Sequence, residues 1–170
     1  MFEQDFTDAI AMLKADHRKV EQLFASFEEA KGASRKEKLA HEICTELKIH
    51  TMLEEEIFYP AFEGKIEQGL LDEATVEHDG AKVLVNDIEA AQPDEQFYDA
   101  KVKVLGEEIE HHVKEEEKPK EGLFAQCRDT DVDLVDLRDR MLARKQELMA
   151  QAESGGLPPA QVTAVDLNPA

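Results

Sequence analysis

Two polar residues set into an otherwise apolar helical stripe restrict the folds open to this chain more than any other feature of its sequence. Leu39, Ile43, Leu47, His50, Glu54, Ile57 and Ala61 recur at spacings of three and four, which puts them on one face of an α-helix. His50 and Glu54, four apart, would project a ring nitrogen and a carboxylate to one point on that face. The stripe turns both into the core. An imidazole and a carboxylate buried without partners are costly, so the interior has to supply a hydrogen-bond network, an ion pair or a metal.

A second copy narrows that choice. Val102, Leu105, Ile109, His112 and Glu116 repeat the pattern with the same spacing of four. Two further stripes carry one inward histidine each: Phe6, Ile10, Leu13, His17, Val20, Phe24 and Phe27, then Leu71, Ala74, His78, Ala81, Val85 and Ile88. Four helices thus bring His17, His50, Glu54, His78, His112 and Glu116 to one interior, a ligand set for two metal ions. Without cations that interior would hold two uncompensated carboxylates. His111 is turned about 100° from His112 and off the stripe, so His112 is the expected ligand. Glu115 and the remaining members of Glu54-Glu55-Glu56 and Glu115-Glu116-Glu117 read as solvated charges, His41 as exposed, and Phe24, Phe27, Phe58 and Phe62 as core.

The same periodicity sets the organisation: all-α, with residues 1–126 an up-down-up-down four-helix bundle joined by short connections. Thr7 or Asp5 is placed to cap the first helix, which runs to about Ala30. Ser34 and Glu37 have the spacing of a capping box for the second, which ends near Pro60 to Gly64. Leu71-Asp72-Glu73 opens the third, running to about Ala91, and Asp94 is placed to cap the fourth, which ends near Pro119. Residues 127–152 form an amphipathic helix expected to pack on the bundle through Leu134, Leu137, Met141 and Leu148. Residues 153–170, with Gly155, Gly156, Pro158, Pro159 and Pro169, read as a disordered tail.

The net charge of −19 argues against nucleic acid as a partner, since phosphate binding relies on clusters of Lys and Arg. No run approaches the ~18–20 apolar residues of a membrane span. The first residues, Met1 to Asp5, lack a basic stretch followed by an apolar one, so the expected location is the cytoplasm. Cys44 and Cys127 are too few and too far apart for a disulfide scaffold and read as free thiols.

Asp16-His17, His50-x-x-x-Glu54 followed by Glu55, Phe58, Tyr59 and Pro60, Glu77-His78, and His111-His112-Val113-Lys114-Glu115-Glu116 together resemble the hemerythrin family, in particular the bacterial HHE cation-binding domains, over about residues 8–126. The resemblance implies a four-helix bundle around a non-heme di-iron centre. In it His17 and His50 would bind one iron, His78 and His112 the other, and Glu54 and Glu116 would bridge. It implies binding of oxygen or a related small ligand, nitric oxide or peroxide, in an oxygen-binding, sensing or iron-homeostasis role, with a redox or signalling protein as partner. The alternatives are a di-iron enzyme reducing peroxide or nitric oxide, or a bundle holding one ion or another divalent cation. Oxygen-carrying members place a fifth histidine four residues before the one matching His78. Here that residue is Ala74, leaving a position to water or to Glu73 or Glu77.

Overall fold

Asp8 starts the first helix of the computed structural model, which describes residues 6–169. Its backbone is extended and its carboxylate accepts from the Ala11 N–H at 2.9 Å, which satisfies one of the unpaired donors of the first turn. Asp8 takes the role expected of Thr7 or Asp5; Asp5 lies outside the described residues. This helix, α1, spans Ala9–Glu29. The next, α2, begins at Ala33 behind Gly32, whose φ of 90° lies where glycine is favoured. Because the helix opens before Ser34, the expected capping box does not form.

After Ala33–Leu53, α2 widens into one π turn, Glu54–Phe58, and resumes α-helical geometry over Tyr59–Phe62. Pro60 supplies the reason. It has no N–H, and its ring would strike the carbonyl four residues back. A turn closed by the Tyr59 N–H on the Glu54 carbonyl absorbs the misfit. The consequence is that Glu54 and Tyr59, five apart, share a face.

Helix α3 spans Gln68–Ala90, starting before the expected Leu71. Helix α4 spans Tyr98–Glu117 with Phe97 before it, and Asp94 does not cap it. Instead Glu95 closes the preceding turn, accepting from the Gln92 N–H at 2.7 Å. Pro119 ends α4 by forcing Lys118 into extended backbone. A short helix that the periodicity did not reveal, α5 at Leu123–Arg128, follows Gly122. A Cβ at Gly122 would lie 2.5 Å from the Lys118 carbonyl oxygen, so the turn needs a glycine. Helix α6 spans Leu134–Gly155, capped by Asp133, which accepts from Val135 and Asp136.

Helix α1 packs on α2, α3 on α4, and the ring closes through α2 with α3 and α1 with α4. The apolar interior falls into two clusters. One takes Ile10 and Leu13 from the start of α1, Leu53 and Phe58 from the end of α2, Leu71 from the start of α3, and Leu123 and Phe124 beyond α4. The other takes Val20 and Phe27, Ile43 and Leu47, Val85 and Ile88, and Val102 and Leu105. The order along the helices alternates, so neighbours in sequence run antiparallel. Between the two clusters lies a buried polar layer.

Helix α6 lies across α1, α2 and the π turn. It buries Leu137, Met141 and Leu148, each contributing about 1.5–3 kcal/mol. The last residues correct the expectation of disorder. They lie along α3, where the Asn86 side chain pairs with both backbone groups of Ala160 at 2.8 Å. The Asp79 carboxylate accepts from the successive N–H groups of Thr163, Ala164 and Val165. Backbone donors hold this segment, which is why side-chain composition did not reveal it. Among the described residues no helix is long and apolar enough to cross a membrane.

Candidate metal centre

One inward residue from each of α1 and α3, and two from each of α2 and α4, make up the polar layer. All six of His17, His50, Glu54, His78, His112 and Glu116 are buried, Glu54 completely. Nε2 of His17 lies 3.2 Å from Nε2 of His50, and Nε2 of His78 lies 3.1 Å from Nε2 of His112. Each carboxylate faces one histidine of each pair. Glu54 Oε2 is 3.3 Å from His50 and 3.1 Å from His78, while Glu116 Oε2 is 3.3 Å from His17 and 3.5 Å from His112. The donor atoms form two groups that share Glu54: His17, His50, Glu54 and Glu116, and Glu54, His78 and His112. His111 points outward, 64% exposed.

The other ring nitrogens face carboxylates. His17 Nδ1 is 2.7 Å from Glu117, His78 Nδ1 is 2.9 Å from Glu55 and His112 Nδ1 is 2.6 Å from Glu77. His50 Nδ1 faces Asp16 at a longer 3.6 Å. These carboxylates circle the bundle: Asp16 of α1 reaches α2, Glu55 of α2 reaches α3, Glu77 of α3 reaches α4, and Glu117 of α4 reaches α1. Each is the sequence neighbour of one of the six inward residues, hence about 100° around its helix from it. It precedes that residue on α1 and α3 and follows it on α2 and α4. Reversing a helix reverses the sense of rotation, so all four point the same way round.

Each outer carboxylate has its own donor: Lys145 of α6 for Asp16, Lys82 for Glu55, His111 for Glu77 and Arg18 for Glu117. Glu55 and Glu117, expected to be solvated charges, are therefore part of the centre. Glu77 is committed to His112 from outside, and Glu73 is exposed. Neither takes the position considered for it beside Ala74.

The hemerythrin HHE cation binding domain matches residues 8–119. The chain belongs to the hemerythrin HHE cation-binding domain family. A "DNA nickase" of Nostoc sp. is 27% identical to this HHE protein over 117 residues, 69% of this chain and 32% of that one. The chain thus spans about a third of the length of that curated relative. The crystal structure of a hemerythrin HHE cation binding domain-containing protein from Mycobacterium kansasii superposes with a TM-score of 0.72 at 22% identity, covering 89% of this chain and 95% of that one. It shows the shared fold. Helix α6 and the C-terminal segment lie beyond residues 8–119, which the family model matches.

The donor set of the HHE domain fits metal ions. A ring that donates Nδ1–H to a carboxylate carries its lone pair on Nε2, facing inward. Two nitrogens bound to one ion at 2.0–2.1 Å and between right and tetrahedral angles are about 2.9–3.4 Å apart, as these pairs are. Buried Glu54 Oε1 and Glu116 Oε2 have no hydrogen-bond partner. Among the described residues no lysine or arginine pairs with either glutamate.

The side chains' own charges act in the same direction. Burial opposes charge on the rings, but Glu54 holds His50 well above the usual range. Burial is likewise outweighed at His78, which Glu54 and Glu55 raise to about 9, and at His17, which Glu116 and Glu117 raise. Burial also opposes ionisation of Glu54, yet His50 and His78 hold it well below the carboxylate range. The centre is built to hold positive charge, as protons or as metal.

Sequence reasoning missed the role of Tyr59. Its buried hydroxyl donates to Glu116 Oε1 at 2.8 Å, lies 3.1 Å from Glu54 Oε2 and 3.4 Å from His78 Nε2, and its ring stacks on His78. Burial and the two carboxylates hold the phenol well above its usual range, so it keeps its proton. Pro60 was the available signal, through the π turn that brings Tyr59 onto the face of Glu54. Cys44 and Cys127 are free and buried. Burial pushes the Cys44 thiol up to about 12, and burial beside Glu116 and Glu54 pushes Cys127 up further.

Proposed function

We propose that this HHE protein is a non-heme di-iron protein that binds oxygen, or a related small ligand such as nitric oxide or peroxide, in a binding, sensing or iron-homeostasis role. One observation carries the two-ion reading: each inward carboxylate faces one histidine of each pair, the arrangement of a bridge. His17 and His50 would hold one ion, His78 and His112 the other, with Glu54 and Glu116 between them. Imidazole and carboxylate donors without thiolate suit iron, and the same set also accepts other divalent cations. Bound iron would supply an electron-rich position for a diatomic ligand.

The chain's own part is to orient and to exclude water. Glu117, Glu55 and Glu77 fix the His17, His78 and His112 rings, and the apolar clusters on both sides of the layer, with Phe124 stacked on His17 and Phe58 packed on Phe124, keep water from it. Tyr59, within 3.4 Å of Glu54, His78 and Glu116, would be a seventh polar group beside bound ions. The net charge of −19 would attract cations and repel polyanions, which favours small ligands over nucleic acid. Titrating the anaerobically reduced, iron-loaded protein with oxygen or nitric oxide tests the reading. A saturable change in the visible spectrum supports it, and oxidation with no bound-ligand spectrum for either gas contradicts it.

Tyr59 also favours a second reading, an enzyme that reduces peroxide or nitric oxide. Such chemistry consumes protons, and the phenol holds one at its hydroxyl beside both carboxylates. Peroxide turnover by the loaded wild type that falls in Tyr59→Phe supports it; turnover no faster than free iron contradicts it.

A further inference from the structure

Of the four outer carboxylates, Glu55 alone has a donor outside the helices. Its Oε1 faces His78 Nδ1 at 2.9 Å and Lys82 Nζ at 2.8 Å. Its Oε2 accepts from the Thr163 hydroxyl at 2.7 Å and from Lys82 Nζ at 2.9 Å. Both oxygens are therefore committed, and the carboxylate cannot turn away from His78 without breaking a bond to the C-terminal segment. The Thr163 hydroxyl in turn accepts from Lys82 at 3.3 Å, which aims its single proton at Glu55.

The segment is seated in register. Asp79, fully buried and next to His78, takes the N–H groups of Thr163 at 2.8 Å, Ala164 at 2.6 Å and Val165 at 2.8 Å. Asn86, two turns further along α3, clamps Ala160. Five bonds to α3 thus deliver one hydroxyl to one carboxylate. A segment that merely covered the helix would need no such register.

We propose that this C-terminal strap, residues 156–169, is a working part of the metal centre: Thr163, acting through Glu55 as a positioning residue, fixes the His78 ring and slows loss of the ion held by His78 and His112. The inference rests on the two-ion reading and adds an asymmetry to it. Of the outer carboxylates only Glu55, which faces the α3 histidine, bonds to the strap; Asp16 is held by Lys145, Glu77 by His111 and Glu117 by Arg18.

The test follows release of iron(II) from the full-length protein to a coloured chelator under anaerobic conditions, in wild type, Thr163→Val and Thr163→Ser. Valine removes the hydroxyl and leaves every backbone bond of the strap; serine restores the hydroxyl. Loss of an outer partner typically weakens metal binding 10–100-fold, so in Thr163→Val one of the two ions is expected to leave about tenfold faster, the other at the wild-type rate. Thr163→Ser is expected to release both ions at the wild-type rates. Two ions released from Thr163→Val at wild-type rates overturn this inference alone. So does equal acceleration of both together with a lower metal-free melting temperature. Fewer than two ions in the wild type overturn the two-ion reading and this inference with it.

Discussion

Replacing Tyr59 by Phe removes one oxygen from the centre of the bundle and leaves the ring that stacks on His78. That hydroxyl has one proton, and its shorter contact, 2.8 Å to Glu116, is the hydrogen bond; the 3.1 Å contact to Glu54 shares it. A hydrogen bond to a charged group contributes about 1.5–3 kcal/mol, and here nothing replaces it, because the apolar clusters on either side admit no other donor. For a chain of this size, 1 kcal/mol moves the melting temperature by about 2–4 °C, so metal-free Tyr59→Phe should melt roughly 3–12 °C below metal-free wild type. The assay is thermal unfolding by circular dichroism after chelation. Equal melting temperatures would refute the reasoning, since they would mean that the two glutamates do not depend on Tyr59 when no ion is present.

Other substitutions and conditions probe other parts of the account. Glu77→Gln should weaken binding of one of two ions about 10–100-fold by loosening the His112 ring, measured by competition with a chelator of known affinity. Phe58→Ala, at a fully buried position, should destabilise the chain by about 3–5 kcal/mol in denaturant unfolding. The folded-state value of His78 lies near 9, above its unfolded value. The stabilisation it gives the metal-free protein is therefore complete below about pH 6.5 and lost as pH rises towards 9. Melting curves of metal-free protein from neutral to alkaline pH should show this loss, and ion-loaded protein, whose rings are already deprotonated, should not.

The stripes were legible because burying a histidine or a glutamate breaks an apolar pattern visibly. Leu105 and Ile109 place His112 inward and His111 outward without any coordinates. The outer ring was not legible in the same way. Asp16, Glu55, Glu77 and Glu117 lie in a chain dense with acids, and a carboxylate beside a ligand looks like a solvated one until the neighbouring helix is placed. Its hidden rule is positional, before the ligand on α1 and α3 and after it on α2 and α4, and it becomes readable only once the helices are known to alternate. Tyr59 escaped because the reading assumed a constant 3.6-residue period, whereas Pro60 forces a wider turn. The strap escaped because its anchoring groups are backbone N–H donors, which every residue but proline carries.

The central claim is that one buried layer holds two metal ions, and iron in particular. The most direct measurement is metal content per chain of protein prepared with iron available, taken with its visible spectrum in air and after anaerobic reduction. The account predicts close to two irons per chain and the absorption of a bridged di-iron centre that reduction abolishes. One ion per chain, or zinc alone, would contradict it and leave a bundle whose paired histidines serve a different centre.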